Sequence, residues 1–302
     1  MHKSVMIAEV LHYLAPKDGE TYIDATFGAG GYTKAILAAA KCRVIAIDQD
    51  PSVREYAEKI SGDFQYIEGN FGDLEHLVDE KVDGIVFDIG VSSMQIDSAE
   101  RGFSFMKEGP LDMRMSSKNQ TAAEFLNSAD EKFIADVIYK YGEEKFSRKV
   151  AKEIVRSRPL VTTTDLVNAV HRVLGKGGKT NSATKTFQAV RIYINDELEA
   201  LERALAASLK ILKNGGRLIV VTFHSLEDRI VKLFFKKNTH QNLNSNRHQF
   251  FDYLEAANKN EEKINFALEM ITKKAIMPND VEIKSNPRAR SAKLRAANKL
   301  GD

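Results

Sequence analysis

The stretch "IDATFGAGGYT", residues 23–33, decides how this chain is read. An apolar lead ends on Asp24, three glycines crowd the turn after it, and helix-forming residues begin at Tyr32. Strand, glycine turn and helix in that order place a ligand at the carboxyl end of the strand, beside the helix N-terminus. Gly28, Gly30 and Gly31 lack the side chains that would keep a ligand off the backbone. The dinucleotide fingerprint G-x-G-x-x-G is not met, because the third glycine position, counted from Gly28, is Thr33. That counts against a nicotinamide cofactor. Asp48 ends the next apolar run, "CRVIAID", 18 residues beyond Gly30. A carboxylate there can accept hydrogen bonds from both hydroxyls of a ribose. Adenosine with free ribose hydroxyls and no pyrophosphate to cradle describes S-adenosylmethionine, the expected cofactor.

Outward from this stretch, residues 21–90 alternate. "PSVREYAEKI" reads as a helix with Pro51 in its first turn and Asp50 as its cap. "FQYIEG" is a third strand, "FGDLEHLV" a short helix, and "VDGIVFDIG" a fourth strand, almost wholly apolar. Continuous apolar strands separated by helices imply a parallel sheet covered on both faces. From about Phe105 to Leu212 only helical patterns occur: "AAEFLN", "EKFIADVIYKYG", "EEKFSRKVAKEIVRSR", "TTDLVNAVHRVLG" and a long one from near Thr186. Thr164 and Asp165 are the start signals of the fourth. A strand returns at "RLIVVTFH", 217–224, after the turn "KNGG". The expected organisation is a sheet domain in two parts, 1–104 and 201–302, around an inserted helical module, 105–200. Residues 238–262 read as a mobile excursion, and "FALEMITKKAI" as an edge strand. "KSNPRARSAKLRAANK" reads as a basic tail with no acid in it.

Composition narrows the function. The 302 residues are 43% hydrophobic, enough for a packed core. The single cysteine, Cys42, excludes an intrachain disulfide and a cysteine-built zinc site, and no metal site is expected. The N-terminus carries acids and lacks the apolar block of a signal peptide. No run reaches the ~18–20 apolar residues of a membrane span. A cytoplasmic protein is expected. The net charge of +2 says little, whereas closely spaced arginines beside a proline in the tail, Arg288 and Arg290, suggest phosphate contact.

Rival chemistries fare worse. "GKGGKT", 175–180, resembles a phosphate loop, but the position that needs its first glycine is Val173 and no strand precedes it. His224 and Ser225 invite a hydrolase reading, yet sequence neighbours rarely meet as base and nucleophile, and no G-x-S-x-G elbow exists. "DIGVSSMQ", 88–95, ends the fourth strand and faces the same crevice as the glycines. Asp88 there suits a sulfonium or an amine, and Gly90, Ser92 and Ser93 leave room. Methyl transfer is an in-line displacement that needs mainly orientation. In "TFQAVRIYINDEL", Gln188, Arg191 and Asn195 share one helix face.

"HKSVMIAEVL", "DATFGAGGYT", "AIDQDP", "GNFGDL", "DIGVSSMQ", "RGFSF", "GPLDMRM", "YGEE", "TFQAVRI", "TFHSLEDRIVK" and "NPRARSAKLR" follow one another from His2 to about Arg295. In that order they resemble the RsmH/MraW-type bacterial methyltransferases. The resemblance implies an α/β class I S-adenosylmethionine-dependent methyltransferase, Rossmann-like and mostly parallel, with an inserted all-helical domain. It implies methylation of the exocyclic N4 of a cytosine in 16S ribosomal RNA at the decoding site, within the small subunit. By motif position it implies cofactor contacts from Gly28, Gly30, Gly31, Tyr32, Asp48, Phe71, Asp88 and Gln95. Asp88 is the expected catalytic group, and Arg191, Asn195, His224, Arg288 and Arg290 are the expected RNA contacts. Ser4 stands where the family usually has proline, Asn181 and Ser182 where it has His-Pro, and Lys185 where it has arginine. The alternative is a non-catalytic RNA-binding or ribosome-assembly factor that keeps the fold. Oligomeric state stays open, a homodimer included.

Overall fold

The structure is a computed structural model describing residues 4–117, 119–178, 181–239 and 267–301. Five parallel strands follow the alternation read above: β1 (Thr21–Asp24), β2 (Arg43–Asp48), β3 (Asp63–Glu68), β4 (Val82–Asp88) and β5 (Leu212–Thr222). β6 (Leu268–Met270) and β7 (Lys293–Lys299) complete one sheet in the order β3-β2-β1-β4-β5-β7-β6. β7 is antiparallel to both its neighbours. The strand order reverses between β1 and β4, which pair Ile23 with Ile85. Connections leave in opposite directions there and open a crevice at the strands' carboxyl ends.

Successive residues of a strand point to opposite faces. Ile85, Phe87, Leu218 and Val220 therefore pack on one side, against α11 (Glu197–Ile211) through Leu201 and Leu205 and against α12 (Ser225–Lys237) through Val231 and Phe235. Val86, Ile219 and Val221 pack on the other, against α1 (Ile7–Leu14) through Val10 and Leu14 and α2 (Gly31–Ala39) through Ile36. Both faces are covered, as the uninterrupted apolar runs require.

The short helices α3 (Arg54–Ala57), α4 (Leu74–Leu77) and α5 (Ser93–Asp97) follow β2, β3 and β4, and between α5 and α11 lie α6 (Ala122–Ser128), α7 (Glu131–Gly142), α8 (Ser147–Arg156), α9 (Thr163–Leu174) and α10 (Thr184–Asn195). Their apolar sides form a separate core that includes Phe125, Ile138, Ile154, Leu166 and Val190. The cap of α9 is Thr162 rather than Thr164. Its side chain accepts the Asp165 N–H, and Asp165 bonds back in a capping box. The long helix expected from near Thr186 is two helices. Asp196, with φ of 52°, turns the chain between α10 and α11.

Two further expectations change. "KNGG" is not a turn before β5 but lies within it, where the pairing with β4 shifts register between Val82 and Gly84. The basic C-terminal stretch is not a tail. Pro287–Ser291 is a 3-10 turn, and Lys293–Lys299 is an inner strand between β5 and β6. Asp228 of α12 holds it, accepting from Lys293 Nζ at 3.0 Å and Arg295 Nε at 2.8 Å. β6 is the expected edge strand. The excursion expected at 238–262 falls mostly outside the described residues.

Candidate active site

The carboxyl ends of β1, β2 and β4 frame a cavity of about 340 Å³, within the ~300–1,000 Å³ of small-molecule sites. Its first wall is the glycine turn. Asp24, 0% exposed, accepts from Thr33 N at 3.0 Å and Thr33 Oγ1 at 2.7 Å, clamping the turn to the first residues of α2. Burial pushes Asp24 up to about 6. The sequence used Thr33 only to reject a fingerprint and missed this clamp. Its signal was an acid at the strand end with a threonine nine residues on.

The glycines divide their work. Gly28 lines the cavity with φ of 52°, and a Cβ there would meet only the Thr26 carbonyl, at 4.0 Å. Gly31 lines it too, and a Cβ there would fall 1.7 Å from Ser4 Oγ, so the N-terminal segment seals the back of the turn. Gly30 does not border the cavity. A Cβ on it would lie 2.8 Å from the Phe27 ring, and its φ of 75° caps α2. Its glycine serves packing and turn geometry, which corrects its expected place against the cofactor. Tyr32 borders the cavity from within the core, its hydroxyl donating to the Val5 carbonyl at 2.5 Å.

Asp48 closes the second wall. Oδ2 accepts the Gly28 N–H at 2.8 Å and Oδ1 the Asp50 N–H at 2.9 Å. Two backbone donors fix the carboxylate while each oxygen keeps a lone pair for a hydroxyl. Burial, outweighing these bonds, pushes Asp48 up to about 6. Phe71 lines the same end, packed edge-on against Phe87 at 5.9 Å between centroids. Gln95 also lines the cavity, but its amide is committed: Nε2 donates to Asp50 Oδ2 at 2.8 Å and Oε1 accepts the Ser92 N–H at 2.9 Å. Asp50 in turn caps the 3-10 turn Pro51–Val53 and pairs with Arg101 at 2.7 Å. Gln95 therefore shapes the wall and braces the loop after β2.

At the end of β4, the Asp88 carboxylate has no backbone donors of this kind, and the nearby Tyr32 hydroxyl is its one supporting donor among the described residues. Its N–H is fixed by Thr26 Oγ1 at 2.7 Å, but its buried Oδ1 has no hydrogen-bond partner among the described residues. Burial first, then the Asp24 and Glu227 carboxylates, push it up to about 8. Beside it stand His224 and Glu227 at the start of α12. Glu227 Oε2 accepts the N–H of Phe223 at 2.7 Å and of His224 at 3.1 Å. His224 Nε2 comes within 2.8 Å of Glu227 Oε1 without hydrogen-bond alignment, and both atoms are otherwise buried and unpartnered among the described residues. Sequence reasoning missed Glu227. Its signal was the three-residue spacing of a capping box after the returning strand.

The expected RNA contacts separate. Arg191 reaches the cavity wall, held by Glu197 through a two-point pair at 2.8 and 2.9 Å. Asn195 is 2% exposed, so it presents no surface to RNA. Its Oδ1 accepts the Met115 N–H at 2.7 Å and its Nδ2 donates to the Met113 carbonyl at 2.8 Å. It pins the 113–115 loop to α10, where Met113 has φ of 62°. Arg288 stands at the cavity mouth paired with Asp97, and Arg290 is exposed nearby on the same 3-10 turn.

These residues fit S-adenosylmethionine: a fixed carboxylate for the ribose at Asp48, an aromatic ring at Phe71, bare backbone at Gly28 and Gly31, and an acid at Asp88 for a positive centre. A model of the "MraW methylase family" matches residues 1–300. The protein named "Ribosomal RNA small subunit methyltransferase H" of Rickettsia bellii (strain OSU 85-389) is 52% identical over 308 residues, covering 99% of both chains. Its namesake in Rickettsia prowazekii (strain Madrid E) is 53% identical over 310 residues, covering 99% of this chain and 98% of that one. With the parallel sheet, the cofactor cavity and a family match along nearly its whole length, the chain belongs to the MraW methylase family of methyltransferases.

Proposed function

We propose that this protein transfers the methyl group of S-adenosylmethionine to the exocyclic N4 of a cytosine in small-subunit (16S) ribosomal RNA, at the decoding site. The observation that carries the reading is the pairing, across one cavity, of a backbone-fixed Asp48 with an Asp88 whose buried Oδ1 has no hydrogen-bond partner among the described residues. When bound, the cofactor supplies a methyl group already activated on a sulfonium. Asp48 would take the ribose hydroxyls, Phe71 would lie beside the adenine, and Gly28, Gly31, Tyr32 and Gln95 would shape the berth. Asp88 accepts from the target amine and takes its proton. The cytosine lone pair is delocalised into the ring, so alignment at an acceptor matters more than a strong base.

RNA contact is assigned to the helical module, 105–200, and to the cavity mouth. The outward side of α8 and the residues before it carry Lys145, Phe146, Arg148, Lys149 and Lys152, all exposed. None of these four cations is in an ion pair among the described residues, and Lys149 Nζ lies 5.6 Å over the Phe146 ring. Cations interleaved with an exposed aromatic suit phosphates and a stacked base. Just before α8, Glu143 accepts from Ser225 Oγ and Arg229 Nη2, both at 2.9 Å, which anchors this corner beside His224. Arg288 at the cavity mouth and the exposed Arg290 on the same 3-10 turn offer further cations. The substrate is taken to be the cytoplasmic small subunit. No helix among the described residues is long and apolar enough to cross a membrane.

The test is mass spectrometry of 16S rRNA nucleosides from cells lacking this protein, with and without complementation. N4-methylated cytidine lost on deletion and restored by the gene is expected. Unchanged nucleosides would overturn the activity.

A further inference from the structure

Asp48, Asp50, Gln95 and Met115 line the cavity, and one side chain behind that wall joins them. Arg101 ends the 3-10 turn Ala99–Arg101, which follows α5. Its Nη1 donates to Asp50 Oδ2 at 2.7 Å. Its Nη2 donates to the Arg114 carbonyl at 2.8 Å and reaches the Met115 carbonyl at 3.4 Å. Its own carbonyl accepts the Met113 N–H at 3.0 Å. A planar guanidinium holds its donors in fixed directions, so one side chain can grip a carboxylate and a second segment at once; a lysine ammonium is a point charge without that fork. Through Asp50 the grip reaches Asp48, because the Asp50 N–H donates to Asp48 Oδ1 at 2.9 Å. Asp50 Oδ2 also accepts from Gln95 Nε2 at 2.8 Å. On the other side, Met115 Sδ accepts from Gln49 Nε2 at 3.2 Å, one residue beyond Asp48. Charge matters as well as aim. Although burial favours the neutral acid, Ser52, Gln95 and Arg101 hold Asp50 below the usual carboxylate range. After burial and its backbone bonds, the Asp50 charge is a further influence that raises Asp48, and Arg101 supplies the cation that offsets it.

Resting on the placement of Asp48 at the ribose proposed above, we infer that Arg101 is a positioning residue for S-adenosylmethionine: by clamping Asp50 to the 114–115 backbone it aims the Asp48 carboxylate and holds Met115 in the cavity wall. Arg101 acts wholly through these neighbours. A charged acceptor is strong only while its geometry is kept. Asp48 follows the last turn of hydrogen bonding in β2, so its aim depends on what fixes the residues after it. Without the guanidinium, Asp50 keeps its cap on Ser52 but loses its tie to the 114–115 backbone.

Arg101→Met tests this, since methionine keeps an unbranched stem and removes the fork. The probes are S-adenosylhomocysteine and its 2′-deoxyribose analogue, titrated by calorimetry. Wild type should bind the ribose form about 10- to 100-fold more tightly, the worth of a hydrogen bond to a charged acceptor. In R101M that ratio should shrink at least about threefold, because groups in one hydrogen-bond network are energetically coupled. With S-adenosylmethionine, KM should rise while kcat at saturation stays near wild type, as when binding common to ground and transition states is lost. A merely structural arginine would weaken both probes alike, so an unchanged ratio would overturn the inference. A fall in kcat with KM unaltered would overturn it too. If R101M does not fold, Asp50→Asn breaks the same pair from the other end, because asparagine caps as well as aspartate. D50N should shrink the ratio likewise, and a wild-type ratio there would refute the role of the clamp. Failure of the underlying placement is separable: wild type itself would then show no preference for ribose over deoxyribose.

Discussion

S-adenosylmethionine should bind more tightly as pH rises through neutrality, and Asp88 should be the reason. Asp88 sits at about 8 in the free protein, so it is largely protonated at neutral pH. A sulfonium beside it favours the carboxylate, and an opposite charge within contact range lowers a carboxyl pKa by about 1–3. Binding therefore releases a proton. Affinity should rise about 10- to 100-fold between roughly pH 6 and pH 8 and level off above, since releasing one proton on binding makes affinity climb tenfold with each step of one in pH. Asp48, at about 6, contributes its own slope only below that window. Calorimetry across the window measures the effect, and S-adenosylhomocysteine isolates its cause. That product keeps the ribose and the amino acid but lacks the positive sulfur, so its affinity should climb far less. Asp88→Asn should remove the difference between the two ligands. Equal slopes for both, or an S-adenosylmethionine affinity that stays flat or falls with pH, would refute the placement of Asp88 at the sulfonium. The free protein offers a second reading of the same group. Unfolded, Asp88 ionises near 3.8; folded, near 8. Its ionisation therefore costs the fold progressively more from about pH 4 to pH 8. Asp88→Asn should flatten that loss and raise Tm most at the alkaline end.

Asp48→Ala removes a charged acceptor from the ribose, worth about 1.5–3 kcal/mol, so cofactor affinity should drop about tenfold or more. Unchanged affinity would deny Asp48 that role. Replacing Arg148, Lys149 and Lys152 with alanine should weaken subunit binding and flatten its salt dependence by about 0.7–0.9 in slope per lost phosphate contact. An unchanged slope would make this side of α8 merely solvated. Asn195→Ala leaves the Met115 N–H and Met113 carbonyl without partners, at about 1–3 kcal/mol. A clear fall in Tm is expected, and an unaltered Tm would contradict the pinning of that loop.

The parallel half of the fold was legible because its strands are buried on both faces and read as unbroken apolar runs, as in "VDGIVFDIG". β7 escaped notice for the opposite reason. "KLRAANK" looks like a solvated basic segment, and only Asp228, more than sixty residues away, neutralises Lys293 and Arg295 and makes an inner strand of them. The break at Asp196 was invisible because helical residues continue on both sides of it. Asp48 and Asp88 could be placed on the crevice from strand order alone. The separate duties of Gly30 and Gly31 could not, because they depend on Phe27 and Ser4 arriving from elsewhere. Asn195 shared a helix face with Arg191, as its spacing required, but that face looks inward.

The inner position of β7 also dictates when the protein can finish folding during synthesis. Its hydrogen-bonding edges join β5 to β6, yet it is made after every other strand of the sheet. Until β7 emerges from the ribosome, β5 presents an unsatisfied edge of the kind that recruits foreign strands. The helical module, with its own core encoded upstream, meets no such wait. A ribosome stalled with β7 still inside its exit tunnel should therefore display a protease-resistant helical module beside an incomplete sheet.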